Sequence, residues 1–521
     1  LLAGVTGLAD GLYHYLPDQH ALELRARHVQ PFAPGPALAI GLSTVMWREA
    51  WKYGERAFRY CQLDTGHAVG ALRYAAALLG WRPVEQGRIG TETLAALLGV
   101  DRDDDFPGRR ADVSHEEAEI LLAVDLGEGV ADLAPSALRA LAARAEWQGV
   151  ATCIDPFPMF RWPIIAEVAE ATRRPDGCAL PPIAGPLPPV QPARRILGRR
   201  SAQRFDPNHG MGTEPFAGLL RILQGEADAR LSLLLFVHRV EGMEAGLYLL
   251  PRGAWGKVLL EGLQAAGGTP VSVGPDGLVR LRPLQPVELR RVARSLHCHQ
   301  EIAASACLAV GMLAPFAPLV DAHPTAYRDL LREAGLLGQL LYLEAEAMGL
   351  RGTGIGCFFD DPVHEAAALA TSDFQSLYHF TIGMPVGGYI AYMLGWRFLF
   401  YLDFVLTLVI VCTLGALLYG RGFHRRYARF DLVGFLLLGV LLLGLQTLLN
   451  MGNDFDWLDS PFLQAIAVVL VIAFPCFIIW ELGERHPTLD LRLFLHRNFV
   501  IGIISLTLGF FSIQGLLSLL I

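Results

Sequence analysis

Three short stretches hold residues whose types and spacing could do chemistry. Arg199, Arg200 and Ser201 place two guanidinium forks beside a hydroxyl. Such donors suit a phosphate, the more so if the segment opens a helix and adds its dipole. Lys52 and Tyr53, in WKYGE, can take or carry a proton beside a reacting ring. The run GTGIG (352–356) lets backbone approach a flat ring closely. It follows a helical pattern and lacks GxGxxG spacing, which excludes a dinucleotide fingerprint.

Other clusters read as structure. Asp361 before Pro362 reads as a helix N-cap with proline at the first helical position, and Asp360 goes with it. In HCHQ (297–300), adjacent helical residues point to different faces, so a partly buried helix is expected and no metal site. Eight cysteines without CxxC pairs or even spacing indicate neither a disulfide framework nor zinc, and fit a reducing cytosol.

The elements that must position these residues come from an internal repeat. Residues 57–80 align without gaps on 326–349, with six identities in 24 positions and a constant shift of 269. Both copies predict long helices with Leu and Ala at helical spacing. A GLY strand precedes each, at residues 11–13 and 246–248. Between the copies, 173–194 carries seven prolines and reads as an extended linker. The expected domains are therefore a first module at 1–172, the linker, a second module at 195–386 and a different region at 387–521. The chain starts at Leu1 with no Met and no signal peptide, and the first module reads as truncated at its N-terminus.

RRSAQRFDP (199–207), GLRGTGIGCFFDDPVHEA (349–366) and YHFTIGMPV resemble the nitroreductase superfamily of flavoproteins. GLYHYLPDQHALE and WKYGERAFRYCQLDTGH resemble its SagB-type dehydrogenases, which oxidise azoline rings in peptides. The resemblance implies an α+β fold of two tandem modules forming an internal pseudo-dimer. It implies FMN as cofactor, with the phosphate on Arg199, Arg200 and Ser201 and the flavin beside Gly352, Gly354 and Gly356. Gln203 stands where the family has a third basic residue, and Arg204 next door is the substitute. Lys52 and Tyr53 match the family's catalytic Lys-Tyr pair. Their counterparts in the second copy are Asp321 and Ala322, so one module keeps the pair and the other the phosphate motif.

The chain is 53% hydrophobic and 18% charged, greasier than an ordinary soluble enzyme. From residue 387 onward there are 8 basic and 8 acidic residues, so the net charge of -8 belongs to the front part, arguing against nucleic acid as a partner. Four apolar runs follow, at 398–419, 430–449, 462–480 and 499–521, each near the roughly 20 residues of a bilayer span. Asp403 falls near the start of the first and is expected at the interface. The motifs GGYI, GWRFLFYLDF, FDLVG and DLRLFLHRNF resemble the EmrB-type drug:proton antiporters of the major facilitator superfamily.

Expected overall is an α+β nitroreductase-like part followed by an all-α transmembrane segment of about four helices. The expected partners are a small-molecule or peptide substrate and a lipid bilayer. The arginine-rich loops 420–431 and 481–498 are expected in the cytoplasm, which puts residues 389 and 456 outside. An enzyme part of this kind is expected in the cytoplasm, so the junction conflicts with the charge rule. The first functional reading is an FMN-dependent oxidoreductase joined to an incomplete antiporter. The alternatives are a drug:proton transporter with a passenger domain and a flavin-free binding scaffold.

Overall fold

The computed structural model describes residues 1–105, 116–127, 129–130, 133–150, 161–178, 190–225, 228–265, 271–272, 277–369, 373–385, 404–405, 407–413, 416, 431–451 and 461–520. The chain divides into two compact units, Leu1–Asp403 and Phe404–Ile521.

The first unit contains two seven-stranded sheets. One consists of β1 (Leu2–Ala3), β2 (Gly11–Leu16), β3 (Ala21–Arg27), β4 (Ala37–Val45), β5 (Arg82–Glu85), β6 (Glu116–Asp125) and β7 (Glu146–Trp147), in the order β5-β6-β4-β1-β2-β3-β7. The other consists of β8 (Ser232–Val237), β9 (Gly246–Leu250), β10 (Val271–Ser272), β11 (Val279–Pro283), β12 (Leu308–Pro315), β13 (Arg351–Ile355) and β14 (Phe374–Gly383), in the order β10-β11-β9-β8-β12-β14-β13. Neighbouring strands in both run antiparallel. The GLY triplets open β2 and β9. Strands β8 and β12 are buried along their whole length, which is why SLLLFV and LAVGMLAP read as continuous apolar runs without alternation.

Two 22-residue helices, Ala57–Leu78 and Ala326–Ala347, pack against each other between the sheets. Their bounds differ by the repeat shift of 269. The crossing is set by Gly66 and Gly335, which the same shift relates. A Cβ on Gly66 would run into the carbonyl oxygen of Arg332, and one on Gly335 into that of Leu63. Backbone therefore touches backbone. One apolar core takes Phe58, Cys61 and Leu63 from the first helix and Leu330, Leu337 and Leu341 from the second, together with Leu233 and Val310 of the second sheet.

Because the second helix is enclosed, its charges are enclosed with it. Arg328 reaches Glu117 at 2.8 Å, Glu119 at 2.9 Å and the Thr172 hydroxyl at 2.8 Å. Arg332 bonds Glu119 and donates to Gln62 at 2.9 Å, while Gln62 donates to Glu119 at 2.8 Å. Arg174 holds Asp329 at 2.6 Å, and Arg230 holds Glu333 at 2.7 Å. All four helix charges are under one twentieth exposed, and each has a partner, as burial requires.

Among the described residues of the second unit, two helices are long and apolar enough to cross a membrane, Leu432–Leu449 and Pro461–Gly483. They pack together, with Gly444 admitting Leu470. Asp431 caps the first by accepting from the Gly434 amide at 2.9 Å, and it ties in the second through the Trp480 indole at 2.9 Å. A third helix, Arg497–Leu520, has a shorter apolar stretch at Arg497–Thr507. Of the expected span 398–419, only 404–405, 407–413 and 416 are described, as helix. Asp403, the junction at 386–402 and the loop positions 417–430 and 452–460 lie outside the described residues, as do residues 389 and 456.

The glycine crossing makes a contrast that chemical denaturation followed by tryptophan fluorescence can read. Gly335→Ala should destabilise the front unit by about 1–3 kcal/mol, because its Cβ meets backbone that cannot rotate away. Gly218→Ala, on a helix with nothing within 4 Å of the added carbon, should be neutral or stabilise by up to about 1 kcal/mol. Arg328→Ala takes one of two arginines from each of Glu117 and Glu119, which keep Arg173 and Arg332, and should cost up to about 3 kcal/mol.

Candidate functional site

Strand β13 lies at the edge of its sheet and gathers the candidate residues of both halves. At its start, the Ala202 amide donates to the Gly352 carbonyl at 3.1 Å and the Thr353 hydroxyl donates to the Ala202 carbonyl at 2.5 Å. That pairing fixes the arginine segment. In the middle, the Gly354 amide donates to the Tyr342 hydroxyl at 3.1 Å. At its end, Arg56 of the first half donates to the Gly356 carbonyl at 3.3 Å.

The glycines are needed here for a reason the sequence did not show. The space of a Cβ on Gly352 is taken by the Phe380 ring, that on Gly354 by the Tyr378 hydroxyl and that on Gly356 by the Tyr60 ring. Residues 351–355 run as a strand because β14 pairs with them throughout, and those aromatic rings lie on the glycine face.

Around Arg199 the donors converge. Its guanidinium lies 4.6 Å from the Tyr342 ring centroid, and Ser201 Oγ is 3.0 Å from the Tyr342 hydroxyl. Since Tyr342 accepts from Gly354, its own proton is free for Ser201, and the Ser201 proton is free for a ligand. Arg200 is exposed and turns back onto the carbonyls of Leu197 (3.0 Å) and Arg199 (2.7 Å). Arg204 is exposed, and none of the three arginines has an ion-pair partner among the described residues. The expected helix N-terminus is absent from this segment. Arg199 follows the C-terminus of helix Ala193–Gly198, so anion affinity rests on guanidinium charge without help from a helix dipole.

From the first half come Lys52 and Tyr53, the last residues of helix Met46–Tyr53, both exposed. Lys52 Nζ lies 5.2 Å from the Tyr53 ring centroid, and Tyr53 packs on Tyr60 with centroids 4.5 Å apart. Tyr60 in turn fills the space at Gly356, so this pair stands at the opposite end of β13 from Arg199.

Several residues of this site went unread in the sequence. His67 binds the Tyr378 hydroxyl at 3.1 Å and Gln339 at 3.3 Å. Burial, reinforced by Arg199, lowers its pKa to about 4. Burial raises Tyr378 well above the usual phenol range. Asp64, one turn from both Tyr60 and His67, keeps an exposed face but is flanked closely enough that desolvation, then the Glu49 carboxylate, push it up to about 6. The one available signal was the 60/64/67 spacing of polar residues on a helix otherwise built of core residues.

Other sites differ from expectation. HCHQ is a turn: Cys298 and His299 have positive φ, and His297 follows helix Pro286–Leu296. His297 is fully buried, its Nδ1 2.6 Å from the Ala293 carbonyl and its Nε2 2.7 Å from His379 Nδ1, while His379 Nε2 is 2.7 Å from Ser376 Oγ. Burial keeps both rings neutral, and since the carbonyl can only accept, His297 carries its proton on Nδ1, His379 donates from Nδ1 to His297 Nε2, and Ser376 donates to His379 Nε2. Cys298 and Cys357, 59 positions apart, form a disulfide with Cα atoms 6.0 Å apart, against the expectation of none. Helix Asp360–Ala366 is capped by Phe359, so Asp360 and Asp361 sit in its first turn and Asp360 pairs with Arg59 at 3.5 Å. Among the described residues no cluster of metal-ligating side chains occurs.

The donor set fits a phosphate ester: three guanidinium groups and a hydroxyl, none claimed by a carboxylate among the described residues. The glycine side offers no bare cradle, because tyrosine and phenylalanine rings fill it. A flat cofactor here would meet aromatic side chains.

No family model matches the chain. Curated relatives include EmrY of Escherichia coli (strain K12), named for multidrug resistance, 34% identical over 138 residues, which are 26% of this chain and 27% of EmrY. The multidrug export protein EmrB of the same organism is 31% identical over 159 residues, 30% of this chain and 31% of EmrB. The chain thus spans under a third of the length of these relatives. Similar solved structures include a protein of Anabaena variabilis described as a nitroreductase, with 20% identity, TM-score 0.48 and coverage of 73% of this chain and 78% of that one. Another, from Exiguobacterium sibiricum and also described as a nitroreductase, was solved with FMN. It shows 13% identity and TM-score 0.23, covering 38% of this chain and 90% of that one.

The buried histidines make stability pH-dependent. Burial lowers His297 to about 4 and His238 to about 3 in the folded chain, against about 6.5 unfolded. The unfolded state therefore binds more protons below pH 6.5, and their contribution is complete above that pH and lost as it falls. Denaturation midpoints measured from pH 7 to 4.5 should drop, by up to about 1.4 kcal/mol per pH unit for each histidine. His297→Asn should flatten the slope.

Proposed function

We propose that residues 1–386 are an FMN-dependent oxidoreductase of the SagB type, built as two nitroreductase-like modules in an internal pseudo-dimer and oxidising azoline rings in a peptide or a similar small substrate. The observation that carries this reading is the convergence on β13. Free arginines and Ser201 stand at one end, Lys52 and Tyr53 from the other half at the far end, and aromatic rings lie between. Arg199, Arg200, Arg204 and Ser201 would hold the FMN phosphate. The edge at Gly352, Gly354 and Gly356, lined by Tyr60, Tyr342 and Tyr378, would face the ring system. FMN supplies a hydride acceptor. Lys52 and Tyr53 would move the proton that leaves the substrate ring.

The region from 387 on is read as part of a major facilitator drug:proton antiporter, anchoring the enzyme in a membrane. What supports this is the identity to EmrY and EmrB, the FDLVG motif whose Asp431 caps a helix, and the two apolar helices that follow it. Efflux by the chain is the second reading, favoured by the same identity. Cells expressing the chain and gaining drug resistance would bear it out, and unchanged susceptibility would leave the enzyme reading standing.

Purified full-length chain should be yellow, with flavin absorption. Arg200→Ala removes a charge-assisted contact of roughly 1.5–3 kcal/mol, so its FMN affinity should fall about ten- to hundredfold by fluorescence titration. Unchanged retention would refute the phosphate assignment. Lys52→Ala should keep the colour and slow substrate oxidation about a hundredfold.

A further inference from the structure

Asp64 and Glu333 occupy the same position of the repeat, on the first and second central helices, and their surroundings are opposite. Glu333 is fully buried and fully claimed. It accepts from the Arg230 side chain at 2.7 Å, from the Arg230 amide at 3.1 Å and from the Leu231 amide at 3.3 Å. Asp64 keeps an exposed face and has no hydrogen bond or ion pair among the described residues.

Its place on the helix is bracketed. Tyr60, four residues before, fills the space at Gly356, and His67, three residues after, binds Tyr378, whose hydroxyl fills the space at Gly354. Side chains at those spacings share a helix face, so Asp64 lies on the face turned to the end of β13. Its charged and titratable neighbours are Glu49 from helix Met46–Tyr53, Tyr378 from β14 and Cys61 from its own helix, with Tyr60 and His67 one turn to either side. Among the described residues no cation pairs with it. A carboxylate left unpaired on a site-facing helix, where its repeat partner is neutralised by arginine, is suited to exchange a proton.

We propose that Asp64 is a proton-transfer residue of this site, accepting the proton that leaves the substrate as it is oxidised. The proposal rests on the reading of the site as a flavin-dependent azoline dehydrogenase. Oxidation to an azole removes two hydrogens from adjacent ring atoms. One leaves with its bonding electrons as hydride to the flavin. The other leaves as a proton to Asp64 Oδ, and the electrons of that C–H bond become the new ring double bond. Asp64 shares this proton work with Lys52 and Tyr53.

The test uses full-length chain in detergent, with its flavin, and a synthetic thiazoline-bearing tripeptide as probe. Flavin bleaching without oxygen should slow about a hundredfold in Asp64→Asn, lose its acid limb, and recover in Asp64→Glu, with flavin content unchanged in both. Independently of turnover, infrared titration of labelled aspartate carboxyls, wild type minus Asp64→Asn, should show a midpoint near 6. Bleaching at wild-type rate in Asp64→Asn, or a midpoint at the ordinary value of about 3.9, overturns the role of Asp64 alone. A chain that holds no flavin, or flavin that the tripeptide does not bleach, overturns the underlying reading and the proton step with it.

Discussion

Gly66 and Gly335 let two helices touch backbone to backbone, and most of the front unit follows from that closeness. Helices at ordinary spacing, 8–10 Å between axes, leave room at the rim for long charged side chains to reach water. Here the second helix is covered on nearly every side, and Arg328, Asp329, Arg332 and Glu333 are covered with it. Each must find a polar or oppositely charged partner inside. Glu117 and Glu119 arrive from β6, Gln62 from the first helix, Arg174 from the stretch after helix Pro163–Ala171, and Arg230 from the approach to β8. The ionic joint is therefore a consequence of the glycine contact, and it locks the register of elements far apart in sequence.

Two strands related by the shift of 269 have different surroundings. Strand β5 is the counterpart of β13 under the shift of 269, yet beside it lies a polar cavity lined by Gln86, Thr91, Arg174, Arg328, Asp329 and Arg332. Charges are bound to one another there. Beside β13 the charges are left open and the lining is aromatic.

The sequence reading located what depends on local pattern. The two central helices emerged from the repeat with the same 22-residue length in both copies, and the GLY triplets marked strand starts. It failed where partners far apart in the chain decide. Residues 352–356 carry too much glycine to announce a strand. Residues up to Ile355 become one by pairing with β14, and Tyr60, Tyr378 and Phe380 take the room that the glycines leave. The turn at 298–299 needs two non-glycine residues at positive φ, and the Cys298–Cys357 link spans 59 positions; neither leaves a periodic trace. In the candidate site, the arginines and glycines were legible by resemblance, whereas Tyr342, Tyr378, His67 and Asp64 gained meaning only when the halves were seen packed together.

Strand β13 would otherwise end its sheet with a row of unused peptide groups, the kind of border along which separate molecules add strand to strand and aggregate. Ala202 and the Tyr342 hydroxyl occupy that border. The short stretch after the proline-rich segment thus leaves less of that margin open to a foreign strand, whatever else it holds.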